Sequence, residues 1–500
     1  MWILALDVGT SSIRAIGYDA LGRPLPRADA RVGCEPTTTP DGGSELDPEE
    51  LVAATASAID RCLAAAPGPP AAVGASVFWH SLLALDADGR PLTGVITWAD
   101  TRSAGAAKAL RARLDETAVH ARTGAPLHST FFPAKLTWLR EARPDVFARA
   151  ATWCGFAEYL LLRLTGRLRA SISMASGTGL LDQRADAWQR ADAWQRADAW
   201  QRTGTWDTGT LDACDIGPGR LPPIDDAPVI GLAPAWRARW PALADAPWLP
   251  AAGDGACSNL GADCSGPERI ALNVGTSAAL RLVTPAPAAV PWGLWHYRVD
   301  ARRHLLGGAT SEGGNVLAWA RRTLALPGED AALDTALAAV APDSHGLTAL
   351  PFLAGERSPG WRGDARAAVT GISLATTAPQ ILRALVEAVA YRLAAVYDRL
   401  RPLAAPGHAV VASGGALRHS RVWTQIMADV LGVPIEVLRG IEASSRGAAL
   451  LALGALGQPA PPPEPSGTPV QPDPRRRDIY AAARARQGRL YDSVVGPRVS

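Results

Sequence analysis

A short pattern occurs twice in the chain and constrains the fold more than any other feature. An apolar run over residues 3–7 enters Val8-Gly9-Thr10-Ser11-Ser12, and a second β-like run follows over 13–18. About half the chain later, residues 270–273 lead into Val274-Gly275-Thr276-Ser277, followed by a β-like run over 278–283. Each copy reads as strand, tight turn, strand. A hairpin whose turn offers successive N–H groups and hydroxyls makes a concave anion site. Two copies at this spacing predict two similar lobes, each offering one turn to a shared nucleotide. The plainer alternative is a pair of unrelated turns.

Between the copies, helical and β-like segments alternate, which predicts an α/β fold. Residues 48–62 have helical periodicity, with Asp47 as N-cap and Pro48 in the first turn. Residues 73–77, 94–98, 249–252 and 408–412 read as strands, and 256–261, 379–400, 420–431 and 475–494 as helices. At roughly 100–200 residues per domain, 500 residues make about three domains or two large ones. The expected organisation is an N-terminal lobe over 1–245, a second lobe over 246–457, a Pro-rich linker over 458–474 and a terminal helix over 475–500. Ala-Asp-Ala-Trp-Gln-Arg repeats three times over 185–202. On a helix Trp188, Trp194 and Trp200 would share no face, so the repeat reads as an expansion tolerated in a surface loop, where added length costs little.

Composition removes several classes. Fifty basic and 48 acidic residues leave a net charge of +2, with no electrostatic footprint for nucleic acid. Six cysteines without a CxxC pair argue against a disulfide framework or zinc site. No apolar stretch approaches the ~20 residues of a membrane span, and no signal peptide is seen, so a cytoplasmic protein is expected. The usual nucleotide motifs are missing too. Lys108 and Lys135, the only lysines, both follow alanine rather than glycine, and no GxGxxG follows a strand. Phosphate binding would then rest on backbone N–H groups, hydroxyls, arginine and a metal, which the two Gly-Thr-Ser turns can supply.

Several residues are placed for chemistry. Asp7 closes a strand just before the first turn, where a carboxylate could hold Mg²⁺ through water or simply accept N–H bonds from the turn. Asp254 stands between two glycines at a strand end. It could take a proton from a substrate hydroxyl, or it could cap the helix that follows. His80 follows a strand beside Trp79 and Ser81, a setting that suits a ligand or a satisfied structural histidine. Trp98-Ala99-Asp100-Thr101-Arg102 sets an aromatic face, a carboxylate and a guanidinium at one strand end, fit for a polyol or for a solvated turn. Ser413-Gly414-Gly415-Ala416 forms a strand-to-helix loop of the kind that lies beneath an adenine ring.

Taken together, these residues resemble the FGGY-type carbohydrate kinases, whose fold is the actin/hexokinase-like pair of ribonuclease-H-like lobes flanking a cleft. The likeness runs through the turns at 7–14 and 273–277, Trp79-His80-Ser81, Ile96-Thr97-Trp98-Ala99-Asp100, Lys135-Leu136-Thr137-Trp138-Leu139, Gly253-Asp254-Gly255, Leu353-Ala354-Gly355-Glu356-Arg357 and the loop at 413–416. It implies an ATP- and Mg²⁺-dependent kinase acting on a small sugar or sugar acid, and it allows a homodimer. Asp254 would be the catalytic base and Asp7 the carboxylate near Mg²⁺. Thr10, Ser11, Ser12, Arg14 and Thr276 would contact phosphates. Gly314 and Gly415 would lie near the nucleoside, and Gly9, Gly275, Ser277 and Gly414 belong to the same nucleotide loops. His80, Trp98 and Asp100 would face the sugar, and Trp79 and Arg102 would bind it with them.

Within the family, the runs at 80–82, 96–100, 123–128 and 254–261 look most like gluconate kinases. Phe78-Trp79 replaces the usual polar residue and Met before His80, and the usual Pro before Lys135 is displaced to Pro133. Ser311-Glu312 stands where paired Asn often precedes Gly-Gly. A carboxylate there would repel an anionic sugar acid, which keeps xylulose as the alternative acceptor. An actin-like ATPase without a sugar substrate, or an inactive sugar-binding relative, are the rival classes.

Overall fold

The computed structural model describes residues 1–184, 204–285, 287, 289–438, 440, 442–459, 461, 463 and 468–496. The tandem repeat over 185–202 lies outside the described residues. Two compact units are present, and neither is continuous along the chain. The first comprises Met1–Gly261, His296–Leu305 and Glu442–Pro463; the second comprises Ala262–Trp295, Leu306–Ile441 and Glu464–Ser500.

In the first unit the seven-residue strand Trp2–Val8 is buried throughout. It pairs antiparallel with Ser12–Asp19 on one side and parallel with Ala72–Val77 on the other. Pro24–Gly33 extends the sheet beyond Ser12–Asp19, while Pro247–Trp248 and Ala252–Gly253 both add to Ala72–Val77. A strand flanked on both edges and covered on both faces reads as a near-continuous apolar run, and Trp-Ile-Leu-Ala-Leu is one, with Asp7 as the exception near its end. The covering layer includes the helix Ala443–Ala455, whose Ala448, Ala449, Ala452 and Leu453 pack with Ile3, Ala5 and Ile16.

The second unit repeats the plan. Arg269–Val274 pairs antiparallel with Ala278–Thr284 and parallel with Ala409–Ser413, which in turn pairs parallel with Ile435–Val437. Its core is organised by the 23-residue helix Ala378–Leu400. The helix begins with a capping box, in which Gln380 accepts the Thr377 N–H at 2.8 Å. This is the α/β class with two similar lobes expected from the doubled hairpin. Among the described residues, no helix is long and apolar enough to cross a membrane.

One expected element is shorter than its sequence pattern. Residues 94–98 read as a strand, yet only Val95–Ile96 forms one. The reason is a contact from further down the chain: the carbonyls of Ile96 and Thr97 accept the ammonium of Lys135 at 3.2 and 2.8 Å, so Thr97 spends its oxygen on a side chain rather than on a ladder.

The repeat sits between two short strands that hold each other. Leu181 pairs with Trp206 and Asp182 with Thr205. Cutting 185–202 leaves Gln183, Arg184, Thr203 and Gly204 to join Asp182 to Thr205, a hairpin connection of ordinary length. The deletion is expected to move the thermal midpoint by no more than about 2 °C and to leave turnover within about twofold. A scanning-calorimetry trace showing a larger drop, or an aggregating product, would refute this.

Candidate active site

Strand register explains the surroundings of Asp7. Its cross-strand partners are Arg14 on the antiparallel side and Ser76 on the parallel side, so all three side chains share one face. The Arg14 guanidinium lies 3.3 Å from Asp7 Oδ2, and the Ser76 hydroxyl donates to Oδ1 at 3.1 Å. Arg14 also pairs with Glu442 at 2.8 Å. Burial pushes the Asp7 carboxyl up to about 6; Arg14 and Ser76 pull it back, and the charges of Asp254 and Glu442 add to the rise. Two carboxylates of the first unit, Asp7 and Asp254, therefore feel each other. Ser76 is missed by a motif search; the signal for it is a hydroxyl inside an otherwise apolar strand.

The first turn leaves four residues between the paired Val8 and Ile13, closed by Gly9 N–H to Ser12 O at 3.0 Å. Thr10 and the exposed Ser11 form its tip, and Ser12 is buried. Asp254 opens the helix Asp254–Gly261 as its first residue rather than preceding it as a cap, and Oδ1 accepts the Gly255 N–H at 2.8 Å.

The residues read as the sugar side fall into two linked groups. His80 adopts φ +63°, a region costly for a residue with a Cβ. Its Nδ1 lies 2.7 Å from the Gly177 carbonyl. A carbonyl can only accept, so Nδ1 carries the proton and the Nε2 lone pair faces the Tyr297 hydroxyl at 3.5 Å. Trp79 is buried, with its indole N–H on the Ser173 carbonyl at 3.0 Å. The second group is the turn 97–102. Asp100 is buried and accepts the Ser44 N–H at 2.9 Å, the Arg102 N–H at 3.0 Å and the Arg102 guanidinium. Arg102 also pairs with Glu45 and lies 4.5 Å over the Trp138 ring. Asp100 and Arg102 thus lock one another, next to half-buried Trp98. Lys135 joins the two groups: its Nζ, fully enclosed, donates to His80 O at 2.6 Å as well as to Ile96 O and Thr97 O. Burial pushes this ammonium down to about 7.

In the second unit, Asn273 occupies the register position that Asp7 holds in the first. It pairs with Ala279 and Ser413, and its amide donates to Ser413 Oγ at 3.0 Å. A serine on the parallel neighbour thus meets a carboxylate in one unit and an amide in the other. The turn here has three residues, with Gly275 N–H on Ser277 O at 3.0 Å and exposed Thr276 at the tip. Gly314 N–H donates to Gly275 O at 2.6 Å and Asn315 N–H to Thr276 O at 3.1 Å, so the helix Asn315–Thr323 starts against the turn. Gly414 has φ +96°, and a Cβ there would lie 2.3 Å from the Val274 carbonyl; only glycine fits. Gly415 opens the short helix that follows. Gly275, Thr276, Ser277, Gly314, Gly414 and Gly415 therefore lie together in one patch. Glu312 is not part of the patch surface. It is buried, accepts the Ala354 N–H at 2.9 Å, and burial pushes its carboxyl up to about 7.

Comparison with known proteins fits this geometry. The FGGY family of carbohydrate kinases has an N-terminal domain that matches residues 2–193 and a C-terminal domain that matches 270–456. The chain is 28% identical over 472 residues to a gluconokinase of Bacillus licheniformis, covering 91% of this chain and 88% of that one. It is also similar to the crystal structure of gluconate kinase from Lactobacillus acidophilus, with a TM-score of 0.88, 27% identity and 99% of each chain covered. The ligand-bound xylulose kinase of the same organism matches with a TM-score of 0.88, 28% identity and 99% of each chain covered. With both of its halves matched in order, the chain belongs to the FGGY family of carbohydrate kinases, phosphotransferases that use ATP and an alcohol group as acceptor.

Proposed function

We propose that the chain transfers the γ-phosphoryl group of ATP to a hydroxyl of gluconate, giving 6-phosphogluconate. The observation that carries the chemistry is the pair of carboxylates in the first unit, Asp254 at a helix start and buried Asp7, each charge acting on the other. Asp254 takes the proton of the attacking hydroxyl. Arg14 and the tip of the first turn, Thr10 to Ser12, offer positive charge and donors to phosphate oxygens. In the second unit, the patch around Gly275, Thr276, Gly314 and Gly414 receives the nucleotide, its glycines leaving room for close approach. His80 and Trp98 face the acceptor, while Lys135, Asp100 and Arg102 hold the segments that carry them. Hard oxygen donors around Asp7 fit Mg²⁺, which would neutralise phosphate charge when bound. Phosphoryl transfer asks the protein mainly for positioning and charge stabilisation.

Two observations favour gluconate as the acceptor. One is the similarity to gluconokinases in sequence and in structure. The other is Glu312: its side chain is turned inward onto Ala354, and burial holds it partly uncharged at neutral pH, so it presents little repulsion to an anionic acceptor. The equally similar xylulose kinase structure supports xylulose as the second reading. A coupled ADP-release assay across gluconate, xylulose and glycerol tests the assignment. Gluconate is expected to give the highest kcat/KM, and a preference for xylulose would reverse the order of the two readings. No stimulation by any acceptor would end both.

Glu312→Gln gives a pH-dependent check. The unfolded chain releases this proton near 4.5 and the folded chain near 7, so the native state is progressively penalised as pH rises between those values. The gap corresponds to about 3 kcal/mol at pH 8. A glutamine does not titrate, and its amide oxygen can still accept the Ala354 N–H. The variant should be more stable than the parent by up to about 3 kcal/mol at pH 8, most of which disappears at pH 5. Its KM for gluconate should stay within about twofold. Urea melts at both pH values read the first effect; a tenfold fall in gluconate KM would show that Glu312 faces the acceptor after all.

A further inference from the structure

We infer that Trp79, in the place where the family pattern has Met, is a positioning residue for Asp254, acting through Gly253 rather than by touching the acceptor. This rests on the reading of Asp254 as the base. The indole lies against two glycine backbones. A Cβ built on Gly253 would stand 1.8 Å from Trp79 Cε2 and 2.3 Å from Cδ2 and Cζ2, and one built on Gly177 would stand 2.4 Å from Cδ1. Neither position can carry any side chain while the ring is there.

Three contacts fix Gly253. It pairs with Val77 in the sheet. Its N–H donates to Ser173 Oγ at 3.1 Å, and that hydroxyl donates onward to Arg298 O at 2.9 Å. Its α-carbon lies on the indole face. Ser173 also anchors the ring, since its carbonyl accepts the indole N–H at 3.0 Å. Tyr297 also packs on the indole in a T-shaped contact, 4.8 Å between ring centres. Asp254 is the next residue after this clamp and starts its helix directly. Any slippage of Gly253 therefore moves the carboxylate. Trp79 itself is only 5% exposed, and its polar atom is already engaged.

The test combines Trp79→Met, Trp79→Phe, Gly253→Ala, the Trp79→Met/Gly253→Ala double variant and Asp254→Asn. Each is assayed with ATP and whichever of gluconate, xylulose or glycerol the parent turns over fastest. Trp79→Met is expected to lower kcat about tenfold with acceptor KM within about threefold, because displacing a catalytic group by a fraction of an ångström costs rate rather than binding. Trp79→Phe, which keeps a ring face, should recover most of that loss. Gly253→Ala alone should lose about 10²-fold in kcat. A flexible methionine side chain in place of the indole can bend away from the added methyl. The double variant should therefore exceed Gly253→Ala at least about fivefold, a coupling that independent sites do not show.

If Trp79→Met raises acceptor KM while kcat holds, the ring contacts the acceptor and the positioning role is wrong. Strict multiplicativity in the double variant also overturns it. The Trp79 variants decide the matter alone should Gly253→Ala fail to fold. Asp254→Asn separates the two levels: if it keeps turnover, the base assignment falls and the positioning role falls with it. If it loses turnover while Trp79→Met leaves kcat unchanged, only the role of Trp79 falls.

Discussion

Asp254→Asn is expected to lower acceptor-stimulated turnover by about 10²–10⁴-fold, the range that a positioned general base contributes, while ATP still binds. The substitution is close to isosteric. The asparagine amide keeps an oxygen that can accept the Gly255 N–H, as the parent carboxylate does at 2.8 Å, so the helix start survives and only the proton-accepting capacity is lost. A second readout follows from the neighbouring carboxylate. The Asp254 charge contributes to raising Asp7 towards about 6; without it, Asp7 ionises more readily. Any acid limb due to Asp7 in the residual activity should therefore move to lower pH. Steady-state kinetics with coupled ADP release give kcat, and calorimetric titration gives ATP affinity. Turnover within about threefold of the parent would remove Asp254 from the chemistry.

What can be read from the chain follows the distance over which each contact acts. Both hairpins are visible because strand, Gly-Thr-Ser turn and strand are contiguous, and the pairing of Asp7 with Arg14 is a consequence of a short hairpin register. Ser76 is not visible as a partner, because it reaches Asp7 only through a parallel pairing formed after a long crossover. The glycines on either side of Asp254 allow a cap or a base. The structure puts it at the first helical position, a distinction of one residue that local sequence does not fix. Lys135 belongs to a motif without an evident purpose in the sequence; its three carbonyl partners come from two segments roughly 40 and 55 positions upstream. The segments His296–Leu305 and Glu442–Pro463 join the first unit from far down the chain, and no composition change marks where either begins. Charge placement is the least legible. Glu312 carries a formal charge in the sequence, but its burial against Ala354 decides how much of that charge exists at neutral pH.

Gly447→Ala is the substitution expected to cost most outside the chemistry, and the reason lies in how the helix bearing Asp254 is held. Asp254–Gly261 and Ala443–Ala455 meet backbone to backbone. A Cβ on Gly447 would lie 1.9 Å from the Cys257 carbonyl oxygen, and one on Gly261 would lie 1.8 Å from the Ala443 oxygen. Arg446 adds a hydrogen bond to Gly261 O at 2.7 Å. The same helix rests on the strand Ala72–Val77, where a Cβ on Gly74 would approach the Ala448 oxygen to 2.5 Å. These neighbours are main chain, so they cannot swing aside as a flexible side chain would; the helices must separate. Helix propensity pulls the other way, favouring alanine by about 0.5–1 kcal/mol, but overpacking of this kind costs about 1–3 kcal/mol or more. The net loss of about 2 kcal/mol should lower the thermal midpoint by about 4–8 °C, and the displaced helix should lower kcat at least tenfold by moving Asp254. Gly454→Ala in the same helix is the internal control. Nothing lies within 4 Å of its added Cβ, so propensity acts alone and the midpoint should rise by about 1–3 °C with kcat unchanged. Opposite signs from two alanines on one helix separate close approach from propensity. Equal behaviour of the two variants would mean that the glycine crossing does not set the position of the base.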